Sequence, residues 1–253
     1  MRRLICAVGV GWGLVAGLVG SAGVARADEA AQAIIAKGIE ALGGEAKLAK
    51  ATALKWKAEG KLTLDGNDND FSIQYTTQGL DHSRTEFEGE FNGNEVKGMT
   101  VLDGNKGWRS FGETNPLDAD AVDNEKRNTY LQVVPITLLP LKDKAFKTEL
   151  AGEEKVNDKP ASVVKVTGPD GKSFRLLFDK ESGLPTKMTA TVVGFGGDDY
   201  EQVSLYKDFK EMGGIKKAMA LEVLRDGNPF LKVTVKEFKL VDNLPADTFA
   251  EPK

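Results

Sequence analysis

The residues of this chain whose types and spacing suggest chemistry fall in three short clusters. His82 is the single histidine, and Asp81 and Ser83 on either side complete the residue types of a nucleophilic triad. A triad gathers its members from separated elements in a fixed hydrogen-bond order, so three consecutive residues do not form one. No G-x-S-x-G elbow is present to present a serine nucleophile. His82 is therefore expected in a surface turn. Asp65-Gly66-Asn67-Asp68-Asn69-Asp70 sets oxygen side chains at alternate positions, as a calcium loop does. Its sixth position is Asp70 rather than glycine and its twelfth is Thr76 rather than a bidentate glutamate, which predicts a hairpin turn. Gly194-Phe195-Gly196-Gly197 lacks the Lys-Ser/Thr of a phosphate loop and runs into Asp198-Asp199, whose charge repels phosphate.

Nothing among the 38 acidic residues singles out a pair for glycoside cleavage. Beyond residue 27 only Trp56 and Trp108 are available to stack a sugar. Cys6 is the single cysteine, and it lies at the start of the apolar run of the N-terminus rather than after it. A chain cut after that run has no thiol for a disulfide, a metal or a nucleophile. No catalytic residue, metal site or cofactor is assigned, and the chain is read as a non-enzyme.

Arg2-Arg3, an uncharged stretch over residues 4–25 and the exit Ala25-Arg26-Ala27 have the form of a secretory signal peptide. Residues 1–27 are assigned to it and 28–253 to one domain, placing the protein in the periplasm or outside the cell. Removing the leader takes away Arg2, Arg3 and Arg26 and leaves 226 residues with 31 basic against 38 acidic side chains. That surplus of negative charge repels nucleic acid and anionic membranes.

The elements that position the side chains are mostly strands. Leu54, Trp56, Ala58, Gly60, Leu62 and Leu64 fall on one side of a period-2 pattern and Lys55, Lys57, Glu59 and Lys61 on the other, the mark of a half-buried strand. Residues 29–42 read as an amphipathic helix through Ile34, Ile35, Ile39 and Leu42, stopped by Gly43-Gly44. Strands follow at 52–64, 70–77, 83–91, 95–102 and 107–112. Residues 115–141 interrupt them, and Pro135 and Pro140 predict short helical or extended pieces there. Strands resume at 146–150, 162–167, 173–178, 186–193, 201–209, 216–225 and 230–240, with tight connections that imply antiparallel neighbours.

With polar chemistry set aside, an apolar surface remains. Trp56, Phe71, Ile73 and Tyr75 on early strands and Phe174, Leu176 and Phe178 on a later one are candidates to line a concavity for an acyl chain. Leu131, Val134, Leu138 and Leu139 of the interruption are candidates for a lid over it. The same residues also suit an ordinary core. A charge at Leu176 is expected to abolish lipid uptake in a folded protein.

Several segments resemble the LolA/LolB/LppX lipoprotein-carrier superfamily. They are Ile34-Ile35-Ala36-Lys37-Gly38-Ile39-Glu40-Ala41-Leu42-Gly43-Gly44, the strand through Trp56, Leu176-Leu177-Phe178-Asp179-Lys180-Glu181-Ser182-Gly183-Leu184-Pro185, Tyr206-Lys207-Asp208-Phe209-Lys210-Glu211-Met212-Gly213-Gly214-Ile215-Lys216, and Asn243-Leu244-Pro245-Ala246-Asp247-Thr248-Phe249. The proline that follows Gly-Ile-Lys in that pattern is replaced here by Lys217-Ala218. The resemblance implies a mainly β (α+β) fold, an incomplete antiparallel barrel of about eleven strands with an N-terminal helix and a helical insertion over the concave face. It further implies a lipid or lipoprotein acyl chain as ligand, with membrane-bound donor and acceptor proteins as partners; the chain itself is expected to be a monomer. The competing expectation is a non-catalytic envelope module with a closed core that binds another protein.

Overall fold

The computed structural model describes residues 21–253 apart from Asn92 and Phe195. The expected signal peptide lies outside them except for residues 21–27, which begin the first helix. That helix, α1 (Ser21–Leu42), starts earlier than its amphipathic pattern suggests. Ala31, Ile35, Ile39 and Leu42 form its buried stripe at helical spacing. Gly43 N–H bonds to the Glu40 carbonyl and Gly44 N–H to that of Ile39, the paired bonds of a glycine stop. A single turn, α2 (Glu45–Leu48), follows.

Next come β1 (Ala53–Leu64), β2 (Asn67–Gln78), β3 (His82–Phe91), β4 (Asn94–Asp103), β5 (Lys106–Phe111) and β6 (Glu113–Pro116). After the interruption run β7 (Lys147–Val156), β8 (Lys159–Thr167), β9 (Ser173–Asp179), β10 (Pro185–Val193), β11 (Asp199–Met212), β12 (Ile215–Arg225) and β13 (Asn228–Val241). These thirteen strands form one antiparallel sheet in the order β6-β5-β4-β3-β2-β1-β13-β12-β11-β10-β9-β8-β7. Nearly every strand pairs with its neighbour in sequence. The exception, β1 with β13, joins the two halves of the chain at the centre of the sheet. The fold is thus mainly β and open, an incomplete barrel with thirteen strands rather than about eleven.

Topology dictates what lies between β6 and β7. They are successive strands, yet they form opposite edges of the sheet, so the chain must cross from one rim to the other. It does so as α3 (Ala119–Thr137) followed by a 3-10 turn at Leu139–Lys142. This corrects the expectation of short pieces broken by proline. Asp118 caps the helix by accepting from Ala121 N–H. Pro135 sits inside the final turn, where the missing donor removes a single backbone bond. Leu138 then ends the helix in the left-handed region at φ 59°, its N–H still bonded to the Val134 carbonyl.

One apolar cluster fills the concave side, drawing on α1, α3 and the inward positions of β1, β2, β8, β9, β10, β12 and β13. A small satellite of Val156, Ala161, Val163 and Leu177 lies apart from it. Gly60 permits close approach at the centre: a Cβ there would come within 2.0 Å of the Lys232 carbonyl oxygen. Among the described residues no helix is long and apolar enough to cross a membrane.

Candidate functional site

The floor of the concavity is built where β1, β2 and β13 meet. Register places Trp56 opposite Tyr75 on β2 and Phe238 on β13, and Ala58 opposite Ile73, and Gly60 opposite Phe71. Trp56 and Tyr75 stack with ring centroids 4.7 Å apart. On the far arm, Phe174, Leu176 and Phe178 share the inward face of β9. Trp56, Phe71, Phe174, Leu176 and Phe178 are buried, whereas Ile73 and Tyr75 are half-buried against the same cluster. The structure therefore brings all seven proposed lining residues into one apolar body.

The proposed lid residues join it from above. Leu131, Val134 and Leu138 are buried in the cluster and Leu139 packs at its margin. A Cβ on Gly38 of α1 would stand 2.7 Å from Leu138 Cδ1 and 2.9 Å from Phe178 Cε1, so α1, the end of α3 and β9 converge at that point. In this conformation the lining and lid residues fill each other's space. Two depressions lie elsewhere. One, of about 430 Å³, is bordered by Arg109, Phe111, Glu113 and Leu117 on the β5–β6 edge. The other, of about 820 Å³, is broad and shallow across β1–β4 and reaches Phe71 among carboxylates such as Glu59 and Glu88.

The sequence reading assigned no role to the polar side of α3, which ties the lid to both arms. Arg127 is buried. Its Nη1 donates to the Tyr130 hydroxyl and to Asp170 Oδ2 at 3.0 Å, its Nε to the Thr191 carbonyl at 3.1 Å and its Nη2 to that of Ser173 at 3.3 Å. The Tyr130 hydroxyl also donates to Asp170, at 2.9 Å. On the opposite arm, the Thr129 hydroxyl donates to Ser83 Oγ at 3.0 Å and Arg109 Nη2 to Glu125 Oε1 at 3.1 Å. Burial raises the Glu125 carboxyl above its usual range, an effect Arg109 opposes. Burial likewise raises the Tyr75 hydroxyl.

Lys217 is a second residue to which the sequence reading gave no function. Its position on β12 shares the inward parity of Ile215 and Met219. The ammonium lies 5.9 Å from the Trp56 ring centroid and 6.0 Å from that of Phe238. Burial pulls its pKa down to about 8.

The polar clusters of the sequence fold as turns and strand ends. His82 Nδ1 lies 2.9 Å from Asp81 and Nε2 3.1 Å from Asp103, with its ring against Phe249. Ser83, the next residue on the strand, faces the other side of the sheet and meets Thr129, so the three do not assemble. Asp65-Gly66 is the β1–β2 turn. The oxygens after it are engaged locally: Asp68 accepts from Thr63 at 2.8 Å, and Asp70 pairs with Lys61. Gly194 N–H and the Asp198 carbonyl close the β10–β11 turn, while Phe195 lies outside the described residues. Among the described residues there is no group of three or more His, Cys, Asp or Glu placed to hold a metal.

No family model and no curated protein matches the sequence. Solved structures do match. A LolA superfamily protein from Nitrosomonas europaea superposes with a TM-score of 0.57 over 87% of this chain and 97% of its own, at 14% identity. The fold is that of the LolA superfamily. A putative outer membrane lipoprotein-sorting protein domain from Vibrio parahaemolyticus matches this LolA-like chain with a TM-score of 0.53 at 10% identity, over 85% of this chain and 97% of that one. A DUF1329 family protein from Desulfovibrio piger gives 0.53 at 11% identity, over 87% and 96%. At these identities the LolA-like assignment concerns architecture.

Proposed function

We propose that this chain is an exported carrier that shelters an acyl chain of a lipid or lipoprotein between the curved sheet and α3. It works as a monomer in the periplasm or outside the cell, receiving its cargo from one membrane-bound protein and passing it to another. One observation carries the reading: the apolar lining of the concave face continues beyond the lid. Leu62, Ile73, Phe87, Phe91, Leu221 and Leu231 are half-buried, on inward positions of β1, β2, β3, β12 and β13. Burying an acyl chain on such a surface contributes roughly 0.8 kcal/mol per CH₂, enough to bind without a catalytic residue. Entry replaces contacts that Leu131, Val134 and Leu138 make in the closed form. The likeness to a putative lipoprotein-sorting domain supports the same reading.

A second reading, an envelope module with a closed core that binds another protein, draws on the dense packing of the lining residues. Native mass spectrometry with lipid extraction on protein purified from its own envelope, without detergent, separates the two. A stoichiometric acyl-bearing adduct supports the carrier. A clean mass that stays clean after incubation with lipids supports the module. Leu176 is fully buried, so a charge there disturbs folding before it reports on binding. Half-buried Leu221 is the better probe, and Leu221→Glu is expected to lose the adduct while remaining folded.

A further inference from the structure

Lys217 is placed where a soluble domain gains nothing from a cation. Of its three N–H donors, one reaches the Ala218 carbonyl at a long 3.3 Å. Among the described residues no carboxylate pairs with it, and burial alone accounts for its lowered pKa. The two nearest rings, Trp56 and Phe238, hold the positive charge from the side without neutralising it.

Lys210 rather than a carboxylate is its register partner on β11. Lys47 of α2 reaches the adjoining β11–β12 turn, its Cδ 3.7 Å from where a Cβ on Gly214 would lie. An anion seated at Lys217 takes up the unused donors.

From this point the floor of the trough leads away along β1. Trp56, Ala58, Gly60 and Leu62 share its inward face, and the six residue steps from Trp56 to Leu62 span about 20 Å, the length of a long extended acyl chain. Ala58 and Gly60 keep that strip low, while Tyr75, Ile73 and Phe71 border it on β2. A charged end and an apolar strip of matching length therefore lie in line.

We propose that Lys217 anchors the head of the cargo, and that the cargo is a single-chain amphiphile whose long apolar tail ends in an oxyanion. The inference rests on the carrier reading and narrows it from acyl chains in general to those with an anionic head. A carboxylate and a phosphate monoester share this chemistry.

Calorimetric titration of the full mature chain with oleate, 1-oleoyl lysophosphatidate and 1-oleoylglycerol tests it, because the three differ in the head alone. The wild type is expected to prefer the better anionic ligand over the glycerol ester by about tenfold, the equivalent of one charge-assisted hydrogen bond. Lys217→Met should bind all three with the affinity of the glycerol ester, and Lys217→Arg should keep the preference. The tighter of the two anions identifies the head as carboxylate or phosphate. Equal binding of all three by the wild type, or an unchanged preference in Lys217→Met, overturns the role of Lys217 and leaves the carrier standing. Binding of none of them overturns the carrier reading itself. Urea unfolding of each variant confirms that it is folded.

Discussion

Arg127 on the lid helix donates to Asp170 in the β8–β9 turn at 3.0 Å, an ion pair formed across 43 residues of sequence. The arginine is buried and the aspartate about a quarter exposed. Its remaining donors go to the carbonyls of Thr191 and Ser173 and to Tyr130. The lid is thereby fixed to the β8–β10 arm at one point by several charge-assisted bonds.

Arg127→Met should therefore lower the free energy of unfolding by about 3 kcal/mol, the scale for breaking a buried pair by removing one partner. Tyr130→Phe, which removes one hydroxyl from the same group, should lose about 1 kcal/mol. Urea denaturation measures both. A loss in Arg127→Met no larger than that in Tyr130→Phe would show that the guanidinium does not hold the lid.

Two glycines separate backbone crowding from side-chain crowding. A Cβ at Gly60 meets the Lys232 backbone oxygen at 2.0 Å, which cannot move without shifting β13. Gly60→Ala should cost about 2–3 kcal/mol as overpacking at the sheet centre. At Gly38 the opposing atoms belong to the Leu138 and Phe178 side chains, and alanine regains about 1 kcal/mol of helix propensity. Gly38→Ala should thus stay within about 1 kcal/mol of wild type. Thermal unfolding of the pair checks the order, and a reversed order contradicts the packing described for the floor.

Asp179 supplies a pH dependence of known sign. Its Oδ1 accepts from Ser182 N–H and from the Ser182 hydroxyl, both at 2.7 Å, closing the β9–β10 turn. These bonds to the charged form, the backbone one first, hold its pKa below the usual carboxylate value. The unfolded chain thus binds the proton more readily than the folded one. The contribution is fully present above about pH 4 and is lost as pH falls below it through the folded-state value. Asp179→Ala should be less stable than wild type at pH 7, with the difference narrowing in acid. A gap that stays constant from pH 7 to pH 2.5 in urea titrations would remove the charge from this account.

The strands were legible because charge and apolar residues alternate along them, as Lys55, Lys57 and Glu59 do against Trp56 and Ala58. β6 was not, since four residues ending in Pro116 carry no period. The lid helix was obscured for a different reason. Arg127 and Thr129 are polar types that ordinarily face solvent, yet both are buried against Asp170 and Ser83, partners more than forty residues away that no local pattern names. Lys217 left a trace, as an inward-parity lysine where the family pattern has proline. Its meaning depends on Phe238, which the β12–β13 hairpin brings alongside, and on Trp56, which arrives only through the pairing of the first strand with the last.

The second attachment of the lid offers a direct test of whether it opens. Thr129 and Ser83 bring their Oγ atoms to 3.0 Å between α3 and β3, which makes this pair the place to join the two elements by a disulfide. Cys6 falls within the proposed leader, so the double variant Ser83→Cys, Thr129→Cys would introduce the only thiols of the mature chain. Oxidation closes a loop of 46 residues and should stabilise the fold by about 4 kcal/mol. If α3 must leave β3 to admit an acyl chain, the oxidised protein should take up no lipid and the reduced protein should recover the wild-type level. Uptake is measured on one preparation before and after reduction, so the variant serves as its own folding control. Equal uptake in both states would mean that cargo enters through the half-buried strip around Leu62 and Leu221 with the lid in place.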